Sequence, residues 1–135
     1  MKGIADTGFV VAFGNRMDRH HAWAMDIVGR ITEPLLTCEA VLAEEVFHLR
    51  LSSVVLNLVR VGMLQVAFDA QREIDHLLEL AQRYAGRRPD FADLCLIRMS
   101  ELYPSHAVIT VDETAFRVYR RNKRDVIPLL CPPRS

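Results

Sequence analysis

No stretch of this sequence is apolar for long enough to cross a membrane, and its first residues do not resemble a signal peptide. A spanning helix needs about 20 mostly apolar residues. The opening segment MKGIADTG instead reaches an acidic residue, Asp6, before any apolar core develops. We therefore expect a soluble, cytoplasmic protein with no membrane partner.

Cysteine is scarce, and no charge of one sign dominates. The three cysteines show neither CxxC nor zinc-type spacing, which argues against a disulfide framework and indicates reduced intracellular thiols. Seventeen Lys and Arg residues balance seventeen Asp and Glu residues, so no global basic field indicates nucleic acid. A Gly-rich phosphate loop and a serine with triad partners are also absent.

The composition is that of one ordinary α/β domain. The 135 residues are 50% hydrophobic, which is enough for a single core. Short apolar segments alternate with amphipathic helical ones, as in a three-layer α/β/α fold whose helices cover both faces of a central parallel sheet. No repeat or linker divides residues 1–135, and a Pro-rich tail begins at about residue 131.

Apolar periodicity and turn residues predict the individual elements. The predicted strands are 2–5, 35–37, 64–68, 107–111 and 126–130. The predicted helices are 8–13, 18–31, 39–49, 52–61, 70–84, 90–101 and 113–121.

Acidic residues recur where a predicted strand ends or its following helix begins. They are Asp6, Glu44, Asp93 and Asp112. In an open α/β sheet, ligands bind outside the carboxyl ends of the strands, so residues distant in sequence meet there. Two carboxylates about 5 Å apart repel by ~3 kcal/mol at an effective dielectric of ~20. Such crowding is tolerated chiefly when a hard cation neutralises it, so the pattern predicts a site for Mg²⁺ or Mn²⁺.

Helix capping is an alternative role for several of these acids. Asp6 and Asp112 each precede a predicted helix, where Asp is a preferred N-cap. Asp90 and Asp93 fall three residues apart on the first turn of a helix, where the helix dipole favours acids. Capping explains Asp90 well. It explains Asp93 less well, because the rest of that helix is apolar on nearly every side and a buried carboxylate needs a partner.

Several segments together resemble a PIN domain, the fold of metal-dependent nucleases that includes the VapC-type toxins of bacteria and archaea. The segments are IADTGFVVAF, TCEAVLAEE, PDFADLCLIRMSE and VITVDETAFRVYRR, with NRMDRHHAWA resembling one PIN subgroup. Each of these segments alone occurs widely. Four segments that carry acidic residues, in this order and at this spacing, together make a strong signal. The resemblance covers nearly the entire chain.

The resemblance implies an acidic pocket that holds one or two Mg²⁺ or Mn²⁺ ions and cleaves RNA by hydrolysis. It implies an endoribonuclease that acts as the toxin of a toxin–antitoxin pair, an antitoxin that blocks the pocket, and a homodimer. Small hydroxyl positions of such pockets match Thr7 and Thr110. The implied catalytic and metal-binding residues are Asp6, Glu44, Asp93 and Asp112, with Asp90 as an auxiliary metal ligand.

The third predicted helix offers two adjacent glutamates. On a helical wheel Glu45 is the charge within the apolar face, whereas Glu44 lies at the margin of that face. Periodicity alone slightly favours Glu45. The resemblance places the acid six residues after Cys38, at Glu44, and a margin suits a pocket rim better than a core. Glu44 is the chosen ligand and Glu45 the alternative.

Basic residues follow Asp112 and precede Asp90. Such runs are usually solvated helix faces, but arginine near an acidic site could hold RNA phosphates bidentately. The predicted RNA-binding residues are Arg117, Arg120 and Arg121. His20 and His21 lack partners at zinc spacing, so packing or a polar surface role is expected for them.

Two rival functions use a similar fold. A PIN-fold module could bind RNA or another partner without turnover, and would then show binding without cleavage. A receiver-type phosphoacceptor domain needs an acidic pair after the first strand and a lysine at the end of a late strand. This chain has the single Asp6 and no such lysine.

Overall fold

A computed structural model describes residues 1–134 and contains a five-stranded parallel sheet. Its strands are β1 (Gly3–Ala5), β2 (Leu35–Thr37), β3 (Leu64–Val66), β4 (Ala107–Ile109) and β7 (Leu129–Leu130). Their order across the sheet is β3-β2-β1-β4-β7, so the first strand lies at the centre. Ile4 of this central strand pairs with Leu36 on one side and Val108 on the other.

Seven α-helices surround the sheet in the described part of the chain. Within residues 1–134, no helix combines the length and apolarity that crossing a membrane requires. The helices are α1 (Thr7–Gly14), α2 (His21–Gly29), α3 (Glu39–Leu49), α4 (Ser52–Arg60), α5 (Ile74–Arg83), α6 (Phe91–Leu102) and α7 (Glu113–Val118).

Side chains alternate between the two faces of the sheet, as the pleat of a strand requires. Ile4 and Val108 pack in one apolar cluster with residues of α5 and α6. Their neighbours Ala5 and Ile109 pack in a second cluster with residues of α1 and α2. Helices therefore cover both faces, and the predicted three-layer α/β/α fold with a central parallel sheet is confirmed.

The predicted helix 113–121 is wrong in its last part. The helix ends at Val118, and a two-stranded antiparallel hairpin follows, formed by β5 (Arg120–Arg121) and β6 (Asp125–Val126). Asn122 and Lys123 turn the hairpin with φ angles of 50° and 70°, in the left-handed region. Apolar periodicity does not reveal such a turn, because it depends on backbone conformation.

Other boundaries also differ from the prediction. The helix expected to start at Asp18 begins at His21, since Asp18 accepts a hydrogen bond from the His20 N–H and holds a local turn. The helix expected from Ala70 begins at Ile74 after a similar turn. Strands predicted at 64–68 and 107–111 stop two residues earlier, and the one at 126–130 is divided between β6 and β7. In the Pro-rich tail, residues 131–134 form no helix or strand, and Ser135 lies outside the described residues.

Candidate functional site

A cavity of about 330 Å³ lies at the carboxyl edge of the sheet. Asp6 follows β1 directly, Asp112 follows β4, and Glu44 lies in the helix after β2. The N-terminal turn of α6 brings two further acids to the same place. We call this the acidic cavity; its lining residues are Asp6, Thr7, Gly8, Val11, Glu44, His48, Asp90, Asp93, Val111 and Asp112. All five acids that the sequence singled out therefore face one space.

Asp6 is fixed by three hydrogen bonds at the junction of β1 and α1. Its backbone N–H donates to the Ile109 carbonyl at 3.0 Å, which continues the ladder between β1 and β4. Its Oδ1 accepts from the Thr7 N–H at 2.7 Å, as an N-cap does. Its Oδ2 accepts from the Thr110 hydroxyl at 2.6 Å. Asp6 therefore caps the helix and lines the cavity at once.

Glu44 and Glu45 lie in different environments. Glu44 lines the acidic cavity, and its Oε1 accepts a hydrogen bond of 2.9 Å from the Thr7 hydroxyl. Glu45 is fully buried, and neither of its carboxyl oxygens has a hydrogen-bond partner within residues 1–134. The helical wheel was thus right that Glu45 lies on the apolar face. The residue at the margin of that face, Glu44, is the one in the cavity.

The capping alternative accounts for some of the other acids. Asp90 is the N-cap of α6, and its Oδ1 accepts from the Asp93 N–H at 2.8 Å. Asp112 caps α7 through a longer bond of 3.3 Å from the Ala115 N–H. The carboxyl group of Asp93 caps neither helix. Among the acids at helix N-termini, Asp93 is therefore the one for which capping offers no explanation.

Two acids of the cavity, Asp6 and Asp93, have raised pKa values. Burial raises the pKa of Asp6 to about 6, with the charges of Glu44 and Asp112 adding to the effect against hydrogen bonds from Thr110 and Thr7. Burial also raises the pKa of Asp93 to about 7, and the charges of nearby acids add to this effect. In order of size, these acids are Asp90, Asp6, Asp112 and Glu44. The charges of neighbouring carboxylates contribute to both shifts, so the cavity favours cations.

The donor set matches a hard cation in chemical type. Carboxylate and hydroxyl oxygens dominate the lining, no Lys or Arg contributes to it, and His48 is its one nitrogen-bearing side chain. Oxygen donors suit Mg²⁺ and Mn²⁺. As the side chains stand in residues 1–134, no three His, Cys, Asp or Glu groups already form a ligand set around one point. The cavity therefore matches Mg²⁺ or Mn²⁺ in the chemical type of its donor atoms and not in a ligand geometry that is already formed.

The three predicted RNA-binding arginines lie outside the acidic cavity. Arg117 is paired with Glu113 at 2.9 Å on the surface of α7. Arg120 donates to main-chain carbonyls beside it, and Arg121 donates to the carbonyls of Ser100 and Pro104. Their assignment to RNA stays a prediction.

Sequence reasoning missed His48 as a cavity residue. It lies on α3 one helical turn after Glu44, so the i, i+4 rule could have indicated it. His21 plays the structural part expected of it: its Nδ1 is 2.8 Å from the Ala12 carbonyl, which ties α2 to α1.

Fold and cavity together define an α/β protein with a carboxylate-rich site at the carboxyl edge of a parallel sheet. No protein-family model matches the chain, and no curated protein matches its sequence. The resemblance to PIN nucleases rests on the motifs quoted above.

Proposed function

We propose that this protein is a metal-dependent endoribonuclease of the PIN type that hydrolyses RNA phosphodiesters. The observation that carries the proposal is the meeting of five carboxylates, from four separate chain segments, in one cavity. Carboxylates crowded at the carboxyl edge of a parallel sheet fit a cation and its anionic substrate better than they fit an apolar ligand.

The residues that would hold Mg²⁺ or Mn²⁺ share the acidic cavity. When bound, the ion lowers the pKa of an attacking water and stabilises charge on the phosphate. The protein's own part is to hold the carboxylates in place: Thr110 fixes Asp6, and Thr7 fixes Glu44. The proposed ligands are Asp6, Glu44, Asp90, Asp93 and Asp112, of which Asp90 is auxiliary.

The biological setting follows from the resemblance alone. Under this proposal the protein is a cytoplasmic toxin, a partner antitoxin blocks the acidic cavity, and the chain forms homodimers. A short antitoxin-like reading frame directly upstream would support this setting. An unrelated upstream gene would count against the toxin role and leave the nuclease proposal unaffected.

A circular single-stranded RNA tests the nuclease directly, because only an endonuclease can linearise it. We expect the purified protein to linearise the circle with Mn²⁺ or Mg²⁺ and to leave it intact with EDTA. Asp6→Asn removes a ligand charge with little change of shape and should abolish the reaction. Asp75→Asn, an exposed acid on α5, is the matched control and should cleave like wild type. Binding of the circle without any cleavage would instead favour the non-catalytic RNA-binding module.

A further inference from the structure

A second cavity, of about 550 Å³, adjoins the acidic cavity. The two share Asp112, which lines both. We call the second one the Arg87 cavity; its lining residues are Gly86, Arg87, Asp112, Thr114, Ala115, Val118 and Tyr119. An elongated ligand that contacts Asp112 can therefore extend from the acidic cavity into the Arg87 cavity.

Tyr119 provides a second link between the two cavities. Its side chain lines the Arg87 cavity and is buried, with 4% of its surface exposed. Tyr119 is the C-cap of α7, and the N-cap of the same helix is Asp112, which lines both cavities. Both ends of α7 therefore contribute to the Arg87 cavity, and its N-terminal end also contributes to the acidic cavity.

The backbone that carries Arg87 is linked to Tyr119 through Tyr84. Arg87 ends a 3₁₀ turn, and its N–H donates to the Tyr84 carbonyl at 2.9 Å. The Tyr84 ring packs edge-on against Tyr119 with centroids 5.1 Å apart, and its hydroxyl accepts from the Arg120 N–H at 2.9 Å. The guanidinium is therefore carried by an anchored segment.

Arg87 has no carboxylate partner in residues 1–134, since none of the ion pairs there includes it. Arg117, by contrast, is paired with Glu113. A cation without a counter-ion, beside a cluster of acids, is suited to an anion that must approach those acids. The guanidinium fork matches the paired oxygens of a phosphate.

We propose that the Arg87 cavity is a subsite for the phosphate next to the scissile one in a single-stranded RNA. This inference rests on the proposed nuclease function, because the acidic cavity must hold the scissile phosphate. With Asp112 common to both spaces, a strand placed at the acids brings its neighbouring phosphate beside Arg87. The Thr114 hydroxyl lines the same cavity and can donate a further hydrogen bond.

Binding without cleavage gives the first test. A fluorescent 12-nucleotide oligo(U) RNA is titrated in EDTA over a range of salt concentrations, with wild type, Arg87→Ala and Arg60→Ala. Arg60 is an exposed arginine at the end of α4, which leads into the opposite edge of the sheet, so it controls for loss of one charge. We expect Arg87→Ala to weaken binding about tenfold at low salt. We also expect its salt slope to fall by about 0.7, the value for one contact to a single strand. Arg60→Ala should match wild type.

Cleavage of very short substrates gives the second test. A dinucleotide with one internal phosphodiester is compared with the same dinucleotide bearing an added 5′ or 3′ terminal phosphate, in Mn²⁺. For wild type, one of the two added phosphates should raise kcat/KM about tenfold by occupying the subsite. Arg87→Ala should lose this gain, whereas Arg60→Ala should keep it.

The outcomes separate the subsite from the nuclease. An unchanged salt slope in Arg87→Ala, an equal loss in Arg60→Ala, or a phosphate gain that survives Arg87→Ala would each overturn the subsite, even if RNA is cleaved. An Arg87-dependent salt slope in a wild-type protein that never cleaves RNA would keep Arg87 as a contact to an RNA phosphate. It would overturn the nuclease, and with it the scissile phosphate that defines the subsite.

Discussion

Thr110 donates a hydrogen bond of 2.6 Å to Asp6, although the two residues are 104 positions apart in the chain. The same hydroxyl oxygen accepts from the Asp112 N–H at 2.9 Å. One side chain thus connects the acids that follow two neighbouring strands, β1 and β4. The bond also holds the pKa of Asp6 below the value that burial alone would give.

Replacing Thr110 by valine should loosen this connection while keeping the shape of the side chain. The Asp6 carboxylate would lose a donor, so its pKa should rise further above about 6. The fold should lose ~1–3 kcal/mol, as is usual when a buried acceptor is left unsatisfied. Carbon-detected NMR titration of the Asp6 carboxyl and Mn²⁺-dependent RNA cleavage would measure the two effects. Thr110→Ser keeps the hydroxyl and should behave like wild type. If Asp6 has the same pKa in Thr110→Val as in wild type, the hydrogen bond from Thr110 does not lower that pKa.

Glutamine substitutions at the two adjacent glutamates should have opposite effects. Glu44→Gln removes a charge from the acidic cavity and should abolish Mn²⁺-dependent cleavage. Glu45→Gln changes a buried group outside the cavity lining and should keep activity. RNA cleavage by both purified variants, with circular dichroism to verify folding, decides the matter. The reverse pattern would make Glu45 the ligand and the resemblance misleading at this helix.

Local patterns in the sequence predicted the sheet and the meeting of most of the acids, whereas the choice of Glu44 over Glu45 also needed the resemblance. Asp6 comes directly after an apolar strand, and parallel strands end at a common edge, so its position needed no tertiary detail. The placement of Arg121 could not be predicted, because it depends on tertiary structure rather than on a local pattern. Its bonds to the Ser100 and Pro104 carbonyls depend on a hairpin that replaces the end of a predicted helix. Tertiary contacts of this kind override helical periodicity.

Asp93 and Asp90 should respond differently to replacement, since only Asp90 caps α6. Asp93→Asn relieves like-charge repulsion and should raise the melting temperature of the metal-free protein at neutral pH. It should also shrink the stabilisation by Mn²⁺, which for wild type is worth ~2.7 kcal/mol at 100 times the dissociation constant. Asp90→Ala loses the cap and should lower the metal-free stability by ~1 kcal/mol. Thermal melts with and without Mn²⁺ measure the metal-free stability of both variants and the stabilisation of Asp93→Asn by Mn²⁺. If Asp93→Asn is less stable than wild type and its stabilisation by Mn²⁺ is unchanged, Asp93 is not a metal ligand.

The metal-free protein should become less stable as the pH rises from about 4 to 9. Three buried or half-buried acids have raised pKa values: about 6 for Asp6, about 7 for Asp93 and about 9 for Glu45, with burial the first cause in each. In this window the folded state keeps protons that the unfolded chain has released, so stability falls with pH.

Glu45 should account for the upper part of this window, because its folded pKa is the highest of the three. One proton held only by the folded state corresponds to a loss of ~1.4 kcal/mol per pH unit. Above about pH 8, where Asp6 and most of Asp93 have ionised in the folded state, the remaining slope should approach this value. Glu45→Gln cannot ionise at this position, so its slope between pH 8 and 8.5 should be much smaller than that of wild type. Urea unfolding in EDTA at half-unit pH steps gives both slopes, and a wild-type protein with no slope above pH 7 would show that Glu45 is already charged in the fold.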